Sequence, residues 1–276
     1  MQSLPQFVDD DIVSPSAKKP AIFANEVKNV YKKLNIFAPA PVTVDMMSTV
    51  HDSKHVNDIM NLRKMNGHEN KNPYVRDTFQ WIVGSFVDAV RFSFEKKENC
   101  ISPTSGFHHA GWATAEGYCT FNGLMIAAHD IVTKKNARVA IIDCDDHWGN
   151  GTDDILQRNL LLSNSIKHWT YGAEIRNRKS AIDWLKGGWK KILRRMLSDV
   201  DICFYEAGAD SHVNDPLGSK TLYSDEMFER DKILFKIAKE MEVPVVWNLA
   251  GGYQKPIQNV IDLHMQTIVA MIEANE

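Results

Sequence analysis

The stretch "ARVAIIDCDDHWGNG", Ala137 to Gly151, passes from an apolar β-like run into three carboxylates and a histidine within five positions. Asp143, Asp145, Asp146 and His147 thus crowd like charge at a strand end, where it repels unless a cation neutralises it. Working outward, similar short apolar runs, rich in branched and aromatic residues, lie at 99–102 ("NCIS"), 200–210 ("VDICFYEAGAD") and 243–252 ("VPVVWNLAGG"). Between and around them, apolar residues at helical spacing predict helices over 74–95, 111–129, 180–197, 225–241 and 257–273. Strands alternating with helices predict an α/β domain with a mostly parallel sheet flanked by helices. In such a sheet the ligand site lies beyond the carboxyl ends of the strands.

The unusual residues fall at those ends. After "NCIS" comes the tandem His108-His109; after "VAIID" come Asp145 and His147; after "ICFYEAGA" comes Asp210; after "VVWNLA" come Gly251, Gly252 and Tyr253. Each has an ordinary explanation on its own: a surface histidine pair, a solvated Asp turn, a helix cap at Thr152 to Asp154, a loop tyrosine. Four successive strand ends that each deliver a reactive group point instead to one site. Two carboxylates and an imidazole are a plausible set for a catalytic divalent ion with open positions. In an extended segment Asp143, Asp145 and His147 would project to one side, with Asp210 arriving from the neighbouring strand. Asp143 is better cast as the carboxylate that orients a histidine.

The chain has 276 residues, 44% hydrophobic and 24% charged, enough for one large core. A net charge of -3 leaves no basic footprint for nucleic acid. No apolar run reaches the roughly eighteen residues of a membrane span. The opening "MQSLPQFVDDDIVSPSAKKP" lacks the basic and apolar regions of a secretory signal, so a cytoplasmic protein is expected. Residues 1–20 read as an irregular arm and 21–276 as the domain. Cys100, Cys119, Cys144 and Cys203 lack C-x-x-C spacing and are expected to be reduced and mostly buried.

Five pieces, "GFHHA" at 106–110, "GYCTFN" at 117–122, "DCDDHWGNG" at 143–151, "GADSHVNDPLG" at 208–218 and "LAGGY" at 249–253, occur in an order similar to that of the zinc-dependent histone deacetylase and acetylpolyamine amidohydrolase family, of the arginase–deacetylase fold. The resemblance implies one Zn2+ held by Asp145, His147 and Asp210, a catalytic pair at His108 and His109, and a transition-state-stabilising Tyr253. It makes Asp143 the acidic partner of His108 and Asn150 the partner of His109. A histidine beside a carboxylate is favoured as imidazolium and one beside a neutral amide is not, which casts His109 as general base and His108 as an electrostatic partner. The implied substrate channel takes in Gly117, Tyr118, Leu217, Gly251 and Gly252, with Trp169 or Tyr171 as a second wall aromatic. A K+ or Na+ ion bound by Asp143, Asp145 and His147 with Ser165 is also implied.

The expected activity is removal of an acetyl or other acyl group from a lysine side chain. The apolar Leu217 stands where an acidic rim residue would resemble the polyamine-selective members. Deacylation of an acetylpolyamine or other small amide is the alternative, and a catalytically silent acyl-lysine or partner-binding module a further one. A two-manganese ureohydrolase fits less well, because its D-x-H-x-D order differs from the D-x-D-x-H seen here. The expected partner is an acyl-lysine peptide or protein, or a small acylated amine; oligomeric state is not legible.

Overall fold

The structure, a computed structural model, describes residues 16–275. Most of the 1–20 arm lies outside them, but its end is not irregular: Lys19 and Pro20 open α1 (Lys19–Val30), as proline suits a first helical turn. The chain continues through α2 (Val44–Met47), α3 (Ser53–Met60), α4 (Pro73–Arg76), α5 (Phe79–Lys96), β1 (Cys100–Ile101), α6 (Gly123–Lys135) and β2 (Val139–Asp143). Then come α7 (Asn150–Arg158), α8 (Leu160–Ser165), β3 (Ile166–Thr170), α9 (Tyr171–Glu174) and α10 (Arg178–Asp183). A π-turn at Trp184–Gly188 leads to α11 (Trp189–Leu197), β4 (Ile202–Glu206), α12 (Ser224–Glu240), β5 (Val245–Asn248) and α13 (Gln258–Asn275).

The five strands form one parallel sheet in the order β1-β5-β4-β2-β3. Every residue of β2 and β4 is buried, because helices cover both faces. The strand period divides their side chains between two cores. Ala140, Ile142, Cys203, Tyr205 and Trp247 meet α1, α11, α12 and α13 on one face. On the other, Val139, Ile141, Phe204 and Val246 meet α5 and α6. All four cysteines are free and buried.

Three expectations need correction. The stretch 111–129 is helical only from Gly123, because buried Asn122 accepts from Met125 N and starts α6 there, while its Nδ2 ties the preceding loop through Ala110 O. The segment after His147 holds an unexpected edge strand, β3, whose Lys167 and His168 interrupt the apolar pattern. Trp169 and Tyr171 are not channel aromatics: both lie in the core, Trp169 packed on Trp184 and Trp189, Tyr171 bonding Thr221 through its hydroxyl.

The sheet order reverses between β2 and β4, which pair in register with Asp143 opposite Glu206. A crevice outside the carboxyl ends is the expected result at such a switch point. The loops after β1, β2, β4 and β5 all meet there.

Candidate metal centre and active site

β2 ends at Asp143, and Asp145 to His147 lie on a bent loop rather than an extended strand. The acidic side chains themselves set the bend: Asp145 N donates to Asp143 Oδ1 and His147 N to Asp145 Oδ1, both at 3.0 Å. Asp146 N donates to Asp210 Oδ1 at 3.0 Å, tying the β2 loop to the β4 loop. Short carboxylates are suited to such local side-chain turns. They explain the spacing better than the alternation of a strand does.

Asp145, His147 and Asp210 offer ligand atoms within 4.8 Å of one another. His147 Nδ1 stands 3.0 Å from Asp145 Oδ1 and 3.1 Å from Asp210 Oδ2, while Nε2 faces the Leu217 carbonyl at 3.3 Å. That carbonyl can only accept, so it keeps a proton on Nε2, and a metal ion would take the place of the proton that Nδ1 donates to the two carboxylates. The trio's electrostatics call for a cation. Its side-chain hydrogen bonds to Asp145 and Asp210 push His147 up to about 11. Burial and the neighbouring Asp145 charge hold Asp210 well above the usual carboxylate range. Gly251 closes the cradle: its N donates to Asp145 Oδ2 at 2.7 Å, and a Cβ there would lie 2.2 Å from Asp210 Oδ2. The donor set, the tautomer and the close backbone fit a small divalent ion.

Beside this cluster stand the two histidines. His108, only 2% exposed, faces Asp143 Oδ2 through Nδ1 at 2.7 Å. Burial opposes its charge, but Asp143 and Asp145 carry its pKa well above the usual histidine value. His109 faces Asn150 Oδ1 through Nδ1 at 2.6 Å. Burial, then the neighbouring His108, lowers its pKa. The rings of the pair are 4.1 Å apart, and His109 is 6.0 Å from the His147 ring.

Tyr253 follows the Gly251-Gly252 step, anchored by its own N on Asp215 Oδ2 at 2.7 Å. Burial raises its phenol pKa strongly, and the Asp145 and Asp210 charges add to the effect. It therefore stays a proton donor. Its ring lies 5.8 Å from that of Tyr118. Leu217 is 47% exposed at the mouth, and the His147 side chain retains 40% exposure, so the site is open.

Ser165 does not belong here. It ends α8 at the start of β3, whereas Thr170, at the other end of that strand, pairs with Asp143. The hydroxyl beside the acidic loop is therefore that of Thr170, which accepts from Gly149 N at 3.2 Å.

Several residues of the site escaped the sequence reading. Lys19 is fully buried and donates to the Ala250 carbonyl beneath the Gly-Gly step; desolvation lowers its pKa to about 8. Glu206 is buried behind His108; its Oε2 lies 3.6 Å from His108 Nδ1 and has no hydrogen-bond partner among the described residues, while its Oε1 accepts from Phe107 N and Asn248 Nδ2. Glu116 accepts from Asn150 Nδ2 at 2.7 Å. Glu116 directly precedes "GYCTFN" and Glu206 lies inside the β4 run, but only the fold shows what their carboxylates face, and Lys19 adjoins no motif.

The histone deacetylase domain family matches residues 15–168. Histone deacetylase 2 of Arabidopsis thaliana is 27% identical over 199 residues, covering 66% of this chain and 51% of that protein. An uncharacterized protein of Picosynechococcus sp. is 28% identical over 195 residues, covering 66% and 65%. The matches thus span only about half to two thirds of these relatives' lengths. Among solved structures, the HDA15 HD domain superposes with a TM-score of 0.78 at 18% identity, covering 98% of this chain and 87% of that one. The acetylpolyamine aminohydrolase from Burkholderia pseudomallei gives 0.74 at 14%, covering 92% and 90%. Both share the fold. With more than half of its length matched, including both histidines and the β2 loop, the chain belongs to the histone deacetylase domain family.

Proposed function

We propose that the protein is a zinc-dependent amidohydrolase that removes an acetyl or other acyl group from the side-chain amine of lysine. The observation that carries this reading is the convergence of Asp145, His147 and Asp210 beside a histidine pair whose two members are biased in opposite directions. Zn2+ bound by these three side chains would supply a Lewis acid that polarises the amide carbonyl and acidifies water.

The chain's own groups supply the proton handling. Asn150 Oδ1 accepts from His109 Nδ1–H, which leaves Nε2 with its lone pair. His109 Nε2 takes the proton from water as the water oxygen attacks the carbonyl carbon, then returns it to the departing lysine amine. His108, held as imidazolium by Asp143, keeps positive charge beside the developing anion. The Tyr253 hydroxyl donates to the carbonyl oxygen as it gains charge.

The exposed, apolar Leu217 at the rim gives no charge to pair with a polyamine ammonium, which favours acyl-lysine. A small-amide or acetylpolyamine substrate is the second reading, which the open mouth around His147 accommodates. Incubating zinc-loaded protein with an acetyl-lysine peptide and with an N-acetylpolyamine, and measuring acetate release, tests the assignment. Higher kcat/KM on the peptide is expected. Preference for the polyamine would overturn the substrate, and no release from either would overturn the activity.

A further inference from the structure

Glu116 belongs to none of the groups assigned so far. Its backbone closes the turn Glu116-Gly117-Tyr118-Cys119, with Glu116 N donating to Cys119 O at 3.1 Å and Cys119 N to Glu116 O at 2.8 Å. Both central residues have positive φ, 54° at Gly117 and 63° at Tyr118, as a tight primed turn requires. The turn is clamped from outside, since Tyr118 N donates to Gly67 O at 3.0 Å. It also lies flat on the base: a Cβ at Gly117 would come within 2.3 Å of His109 Cδ2. The Glu116 side chain is exposed, yet Oε1 reaches Asn150 Nδ2 at 2.7 Å.

That contact settles something Asn150 cannot settle alone. A carboxylate beside His109 could only accept, and would fix the imidazole by itself. A neutral amide has an accepting end and a donating end. With Oδ1 toward His109, Nδ1 carries the proton and Nε2 is free. Reversed, the amide would donate to Nδ1 and move the proton to Nε2, the tautomer that cannot take a proton from water. A carboxylate on the far side accepts only, so the amide NH2 must face it. We infer that Glu116 is a positioning residue that locks the Asn150 amide and thereby holds His109 in the tautomer with Nε2 unprotonated. The inference rests on reading His109 as the base.

The test is a set of variants in the zinc-loaded chain. Glu116→Gln can present either end of its amide, so it loosens the lock without reversing it and should give a kcat between those of wild type and Glu116→Lys. Glu116→Lys can only donate, favours the reversed amide, and should lower kcat by at least about tenfold with KM little changed. In an Asn150→Asp background there is no amide to orient, and a carboxylate would instead face Glu116. There Glu116→Lys should raise kcat, a reversal of sign that a merely structural role would not produce. Equal losses from Glu116→Lys in both backgrounds would overturn the inference. Long-range 15N–1H correlation spectra of the labelled histidines report the tautomer without any turnover. They should show His109 protonated on Nδ1 in wild type and shifted toward Nε2 in Glu116→Lys; an unchanged tautomer also overturns it. Absence of turnover in wild type would count against the deacylase reading alone, since the spectra still decide the role of Glu116.

Discussion

Tyr253 and the histidine pair show how much depends on single atoms. The Tyr253 phenol is held protonated by its burial and by Asp145 and Asp210, and on the proposed mechanism it donates to an oxygen that becomes anionic only after attack. Tyr253→Phe should lower kcat by roughly two to three orders of magnitude and leave substrate binding little changed. Steady-state kinetics beside a melting curve checks this: unchanged kcat with a lowered Tm would mean that the hydroxyl serves only packing, worth about 1 kcal/mol. His109→Ala should cost more in kcat than His108→Ala, because only His109 has its pKa lowered into a neutral base. The pH profile carries a sign. If His109 is the base, as proposed, it works when unprotonated, so activity should fall as pH drops through the His109 pKa, and the lowered value should extend activity toward acid. Asn150→Asp favours the imidazolium and should move this acidic limb to higher pH; a limb that stays in place would contradict the pairing.

Among the elements, β4 carries a buried acid in the middle of the machinery. Glu206 accepts from Phe107 N at 2.9 Å and from Asn248 Nδ2 at 3.2 Å, and burial raises its pKa from 4.5 to about 8. For a carboxyl whose folded pKa is raised, stability is fully present below the unfolded value and is lost as pH rises through the folded one. Glu206→Gln should therefore gain Tm over wild type at pH 8.5 and little at pH 5; equal Tm differences at both would show that Glu206 does not titrate in this window. Much of the element pattern was legible beforehand. The runs before Asp143, Asp210 and Tyr253 became β2, β4 and β5, because buried parallel strands are continuous in apolar residues. What escaped has physical reasons. Edge strand β3 breaks its pattern at Lys167 and His168, and the loop before α6 mimics helical spacing until Asn122 caps it. The motif residues were marked by chemistry, whereas Glu116, Glu206 and Lys19 are marked only by what stands next to them in space.

At the scale of the whole molecule, one sheet reversal gathers the ends of β2 and β4 and the loops after β1 and β5 around a single cluster of like charge. No helix of the described residues is long and apolar enough to cross a membrane. The cost of burying Asp145 and Asp210 side by side is the most telling energetic feature, since buried carboxylates in contact need a partner cation. Metal binding should accordingly stabilise the fold, raising Tm with zinc concentration. The most direct measurement is zinc content and acetate release for the wild type and Asp210→Ala in parallel. One tightly held zinc per chain and acetate release from an acetyl-lysine peptide are predicted for wild type, both lost in Asp210→Ala while a cooperative melting transition remains. Near wild-type zinc content in Asp210→Ala, or zinc-loaded wild type that releases no acetate, would contradict it.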